Sequence, residues 1–184
     1  MTGDSMDPLL DSAHDQWRPI TPTLTNAPGE RSRHALRSVI DQFGLATSAR
    51  YAPRDGLTFC NIFSWDFTRA MGCEVPHWWD ADGKRRELTA NETLRLMRGG
   101  AFHGWRECSA AAAVDLACIG QPVLAMWLNG AGGPGHVAAI EPHDVNDWRQ
   151  AHVAQAGRVS GTGITMARAF GDHRLSLLDF WTHD

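Results

Sequence analysis

The stretch GLTFCNIFSWDFTRAMG (56–72) passes from a glycine-bounded loop into a helical pattern at Cys60. Ile62, Phe63, Phe67 and Ala70 recur at the spacing of one helical face, and Gly72 and Pro76 end the run. The first turn of a helix presents unpaired N–H groups and the positive end of the helix dipole, and both favour a thiolate over a thiol. A buried cysteine more often serves as a small apolar filler, so a nucleophilic Cys60 requires a base and a group to hold that base. The other cysteines read as packing residues: Cys73 follows the helix-ending Gly72, and Cys108 and Cys118 flank an alanine-rich segment. None of the four falls in a C-x-x-C or Cys/His metal spacing, so no metal or cofactor is expected. A reducing compartment would leave all four as thiols.

Working outward, ERSRHALRSVIDQFGL (30–45) places Ala35, Leu36, Val39, Ile40 and Phe43 on one helical face and stops at Gly44. TANETLRLM (89–97) opens with Thr89 and Glu92 in capping-box spacing, and SAAAAVDLACIG (109–120) is a helix between Ser109 and Gly120. Four short apolar segments bounded by Gly, Pro, Asn or Asp read as strands: 122–129, 136–142, 151–157 and 174–181. Helices first and strands later predict an α+β domain with an antiparallel sheet over 31–184. Residues 1–30 lack periodicity and read as an extended or flexible arm. EVPHWWDADGKRREL (74–88) reads as a Trp-bearing loop turning at Asp82-Gly83, and RVSGTGITMARAFG (158–171) as a loop and short helix beside a cleft. Trp65 reads as packing, and Asp66 as a tie from the Cys60 helix to the arm or a nearby loop.

The base expected for Cys60 is His136, which opens a strand directly after the glycine-rich loop NGAGGPG (129–135). Small residues there leave room for a substrate backbone to approach. HVAAI and HVAQA are successive strands, so a hairpin-like return brings Gln155, 155 − 136 = 19 residues on, beside the imidazole. Its amide oxygen can accept the ring N–H, and a polar side chain in an apolar strand needs such a partner.

A cysteine opening a helix in CNIF, a histidine entering a strand in GHVAAI and a polar residue on the next strand resemble the NlpC/P60 and CHAP cysteine peptidases of the papain-like superfamily. The likeness covers roughly 55–157. It implies a papain-like fold and cleavage of amide bonds in bacterial peptidoglycan peptides without a metal or cofactor. Cys60 would be the nucleophile, His136 the general base and acid, and Gln155 the orienting residue. Asn61, Trp78, Trp79 and Gly135 are the candidate substrate-contacting residues, and Trp105 a further candidate groove wall. The chain departs from common family patterns at Asn61, where many members carry Ser, at Val153, where many carry an acid, and at Gln155, where His or Asn is usual.

Whole-chain properties narrow the setting. The 184 residues are 43% hydrophobic, and 17 basic against 21 acidic residues give −4, with no basic run to attract nucleic acid. No apolar stretch approaches the roughly 18 residues of a membrane span, and the acidic N-terminus MTGDSMDPLLDSAHDQW does not read as a signal peptide. A wall hydrolase made this way would act in the periplasm or cell wall of a target cell after delivery by a type VI secretion system or a phage holin. For a secreted effector, the class implies a cognate immunity protein. Two rival expectations keep the fold: a toxin or transferase acting on a protein, and a catalytically inactive binding module.

Overall fold

The computed structural model describes residues 16–81 and 83–184. Among the described residues five α-helices and eight strands form a mixed α+β arrangement with helices packed on an antiparallel sheet. Helix α1 (Arg33–Asp41) begins where the Ser32 side chain accepts the Ala35 amide at 3.1 Å and buries Leu36, Val39 and Ile40. Helix α2 (Cys60–Ala70) is buried all round except at Asn61 and Arg69, rather than on one side only. Such a helix must satisfy its polar residues internally. Thr68 Oγ1 donates to the Ser64 carbonyl at 2.8 Å and accepts the Val75 amide at 2.9 Å. Asp66 is gripped by Arg50 Nε at 2.6 Å and by the Tyr51 hydroxyl at 2.8 Å, tying α2 to the loop after α1.

Strands β1 (Trp78–Ala81) and β2 (Lys84–Glu87) form a separate two-stranded ladder over the segment read from sequence as a loop. Its turn expectation falls partly on Asp82, which lies outside the described residues; Gly83 sits at φ +70°. Helix α3 (Ala90–Arg98) carries the full capping box between Thr89 and Glu92, and α4 (Ala110–Cys118) is capped by Ser109. Gly120 follows α4 at φ +96°, where a Cβ would overlap the Ser32 carbonyl, so this glycine lets α4 close on the start of α1.

The main sheet has the order β3-β8-β4-β5-β6-β7, every neighbouring pair antiparallel. Strands β4 (Val123–Trp127), β5 (His136–Ile140) and β6 (His152–Ala156) form its buried centre, where only Trp127, His136 and His152 are partly exposed. Strands β3 (Trp105–Cys108) and β7 (Ser160–Thr165) form the two edges of the sheet, and β7 falls in the segment read from sequence as a loop and short helix. The last strand, β8 (Leu178–His183), starts later than the 174–181 expectation because Asp172–Leu177 coils into a 3-10 turn. Between them, α5 (Met166–Phe170) follows β7 directly.

Within the arm read as 1–30, residues 1–15 lie outside the described residues. The rest lies on the domain: the Asn26 amide donates to the Ala70 carbonyl at 3.0 Å and its side chain to the Gly120 carbonyl at 3.0 Å. Among the described residues no helix is long and apolar enough to cross a membrane.

Candidate active site

Helix α2 opens at Cys60 without a side-chain cap, so no capping side chain competes for its first amides. The loop before it is stitched to the sheet, because the Phe59 amide donates to the Ala156 carbonyl at the end of β6 at 3.2 Å. That contact brings Cys60 against strands β5 and β6. His136 is the first residue of β5, and Gln155 lies on β6, one strand over.

His136 Nε2 meets Gln155 Oε1 at 2.6 Å. The Gln155 amide nitrogen donates to the Val159 carbonyl at 2.9 Å, and a carbonyl can only accept. The oxygen end of the amide therefore faces the imidazole, Nε2 must carry the proton, and Nδ1 is left as the acceptor for the Cys60 thiol. Phe170 packs on the same ring with centroids 5.0 Å apart.

Cys60 is only 5% exposed. Burial pushes its thiol up, but the hydrogen bond and charge of His136, with the Val137 and Asn61 amides, outweigh it and hold the thiol below its ordinary value. Burial pulls His136 down, and the paired Cys60 and Gln155 carry it above its ordinary value. The two shifts bring the pair closer to proton transfer from Cys60 to His136. The other cysteines go the opposite way, led in each case by burial: Cys73 is pushed up to about 12, Cys108 to about 11, and Cys118 also upward.

A cleft of about 560 Å³ opens on this group. His136 and Gln155 form part of its wall, with Gly56 and Thr58 from the loop leading to α2; Cys60 does not, so the cleft meets the group at the imidazole side. Trp127 lines it as well, because the β4–β5 register sets Trp127 directly opposite His136. Among the described residues no acidic side chain lines the cleft, whereas Arg158, Arg168 and Arg174 do.

Gly135 lies on the cleft, but the space a side chain would take is filled by protein. A Cβ there would collide with Asn91 Oδ1 and lie 2.7 Å from the Trp127 carbonyl. Asn91, which sequence reasoning missed, accepts the Asn129 amide and donates to the Gly133 carbonyl, both at 2.9 Å, pinning the loop that delivers His136. Its only signal was a polar residue in the first turn of a capped helix.

The remaining candidates lie away from the cleft. Asn61 sits about 100° around the helix axis from Cys60, and its amide donates to the Leu88 carbonyl at 3.0 Å and to His77 Nδ1 at 3.4 Å. Trp78 Nε1 donates to the Trp17 carbonyl at 3.1 Å, Trp79 packs edge-on against Phe102, and Trp105 Nε1 donates to the Cys73 carbonyl at 3.1 Å. Among the described residues no cluster of three or more His, Cys, Asp or Glu side chains is arranged to hold a metal ion.

Comparison with protein-family models and with curated proteins finds no match, so the reading of this site rests on its geometry.

Proposed function

We propose that this chain is a papain-like cysteine hydrolase that cuts amide bonds in peptidoglycan stem peptides or cross-links. The observation that carries the reading is the oriented chain from the Val159 carbonyl through Gln155 to His136, which leaves the imidazole free to take the Cys60 proton. Supporting it are a cysteine at the first residue of a helix and a histidine and a glutamine on adjacent antiparallel strands.

In this reaction Cys60 Sγ gives its proton to His136 and attacks the amide carbonyl carbon. The Cys60 amide, at the first helical position and without an intrahelical acceptor, faces the developing oxyanion. The tetrahedral intermediate collapses as His136 returns the proton to the leaving nitrogen, releasing an amine and leaving a thioester. Water, deprotonated by His136, attacks the thioester, releases the carboxylic acid and restores the thiol. Gln155 acts through the ring it orients. A wall hydrolase of this kind works in the periplasm or wall of a target cell, and a producing cell needs an immunity protein that occludes the cleft.

Mass spectrometry of fragments released from purified Gram-negative sacculi tests the proposal. Wild type is expected to release muropeptides with one new amino and one new carboxyl end, and Cys60→Ala none. Release of nothing by wild type, with rapid Cys60 alkylation at pH 6, would overturn the peptidoglycan assignment and redirect the search to a protein substrate.

A further inference from the structure

Among the described residues, eight arginines pair with carboxylates: Arg33, Arg37, Arg50 and Arg69 in the first half of the chain, and Arg86, Arg98, Arg106 and Arg149 beyond it. Arg158, Arg168 and Arg174 do not, and all three line the cleft beside His136. They come from three places: the turn between β6 and β7, helix α5, and the 3-10 turn after it. A chain of net charge −4 thus gathers three uncompensated positive charges in one concavity. Low-dielectric walls strengthen and focus such a field.

Arg174 is held in place before any ligand arrives. Its guanidinium lies over the Trp127 ring at 4.2 Å from the centroid, and its Nη1 donates to the Phe170 carbonyl at 3.1 Å. The two contacts hold the group against the ring and leave its other N–H donors for a planar acceptor such as a carboxylate. Trp127 faces His136 across the strand pair, and the charge of Arg174 is felt at the imidazole. An anion on Arg174 therefore sits next to the reacting group.

We infer that the cleft selects substrates carrying carboxylates flanking the scissile amide, held by Arg158, Arg168 and Arg174. The inference rests on the hydrolase reading for the word substrate, but the anion site itself does not need catalysis. Binding of the carboxylates fixes the chain in register, so that the amide between them reaches Cys60 past His136. Neutral peptides lack that anchor.

The test uses two small probes that differ in charge, glutarate and its neutral diamide glutaramide, titrated into the wild-type protein and followed by the Trp127 indole and arginine Nε–H resonances. Glutarate is expected to shift these signals saturably and glutaramide not. Arg168→Gln and Arg174→Gln are each expected to weaken glutarate by at least about tenfold, the equivalent of 1.4 kcal/mol. Arg95→Gln, an exposed arginine on α3 away from the cleft, serves as the control for bulk charge and is expected to change nothing. Equal responses to both probes, or glutarate binding indifferent to Arg168 and Arg174, overturn the inference.

A parallel measurement separates this from failure of the hydrolase reading. Iodoacetate and iodoacetamide both alkylate a thiolate, forming the C–S bond as iodide leaves, and mass spectrometry reads the Cys60 peptide alone. With the inference correct and Cys60 activated, iodoacetate gains over iodoacetamide relative to a free thiol, and Arg174→Gln removes the gain. If Cys60 reacts with neither reagent while glutarate still binds through the arginines, the anion site stands and the hydrolase reading falls. If Cys60 is reactive but blind to charge and glutarate does not bind, the converse holds.

Discussion

The Gln155 amide nitrogen donates to the Val159 carbonyl at 2.9 Å, and this contact on the far side from the imidazole decides which end of the amide His136 meets. Were the amide reversed, either two donors would face each other or the ring proton would move to Nδ1 and end its acceptor role toward Cys60. Gln155→Ala is therefore expected to lower kcat for fragment release, by no more than the roughly 10²–10⁴-fold that positioned acid–base catalysis supplies. Gln155→Asn, shorter by one methylene, is expected to fall between wild type and Gln155→Ala. The acid limb of the pH profile distinguishes orientation from mere structure: losing the Gln155 hydrogen bond removes one of the supports that raise His136, so the ring titrates lower. A loss of kcat with an unmoved profile would count against the orienting role.

The pairing of Cys60 with His136 makes a statement about reactivity. Burial alone would hold the thiol protonated, and His136 reverses that direction. The rate of Cys60 alkylation is expected to rise with pH through an inflection below the roughly 8.5 of an ordinary thiol. In His136→Ala only burial and the backbone amides remain, so the inflection moves upward. Cys73, pushed up to about 12, and Cys108, to about 11, provide slow internal references in the same digest. Equal rates at Cys60 and Cys108 at pH 6 would exclude an activated thiolate.

His77 lies between Trp17 and Trp65, with ring centroids 5.5 and 5.4 Å away and planes 26° off parallel in both cases. Burial first, and then the charge of Arg50, pull its imidazole down to about 4 from 6.5. Between those values the unfolded chain binds a proton at this residue and the folded chain does not. Stability is therefore expected to fall as pH drops from about 6.5 toward 4 and to level off below. His77→Phe keeps an aromatic ring in the sandwich and removes the titrating group. Urea midpoints across this window should show a shallower acid slope in the variant, and an identical slope would mean that His77 is not the group responsible.

Asp66 is fully buried in the middle of α2 and accepts from both Arg50 and Tyr51. Removing one member of a buried ion pair strands the other, at a cost of about 3–5 kcal/mol. Asp66→Ala is expected to destabilise by that order in urea unfolding. Asp66→Asn, which can still accept the Tyr51 hydroxyl, should cost less. Because α2 carries Cys60 at its start, a loosened helix should also lower the Cys60 alkylation rate before global unfolding begins.

The elements legible from sequence are those whose ends carry their own chemistry. Thr89 with Glu92, and Ser109, cap α3 and α4 where the spacing anticipates, and Gly44 and Gly120 follow α1 and α4 at positive φ. The β4, β5 and β6 runs are apolar and punctuated by Gly, Pro or Asn, so local pattern suffices. SGTGIT is different: two glycines hide a strand that exists because β6 pairs with it, across a register shift between Val153 and Gln155. WWDA and KRRE become strands only through each other. The candidate site divides the same way. His136 and Gln155 meet through a hairpin-like return visible in the chain, while Asn61 lies outside the cleft lining, bonded to Leu88 and His77. Arg168, Arg174 and Trp127 converge through tertiary placement that no spacing encodes.

Gly135 precedes His136 in the chain and Gly157 lies against its ring, and the two should fail differently. At Gly135 a Cβ meets Asn91 Oδ1 and the Trp127 carbonyl, and the second of these is backbone in the central sheet that cannot yield. Gly135→Ala must therefore displace Asn91 and the 129–135 loop, lowering thermal stability and activity together. At Gly157 a Cβ stands 3.3 Å from both Gln155 Nε2 and His136 Cε1, a tight contact with two side chains rather than with backbone. Those side chains can give by a few tenths of an ångström, so Gly157→Ala should keep its melting temperature close to wild type. The displacement falls on the hydrogen bond that orients the ring, and kcat should drop where Tm does not. Differential scanning calorimetry beside sacculus digestion reads both quantities. Parallel losses in the two variants would mean that Gly157 serves the fold alone, whereas a kcat loss at constant Tm places the constraint at the imidazole.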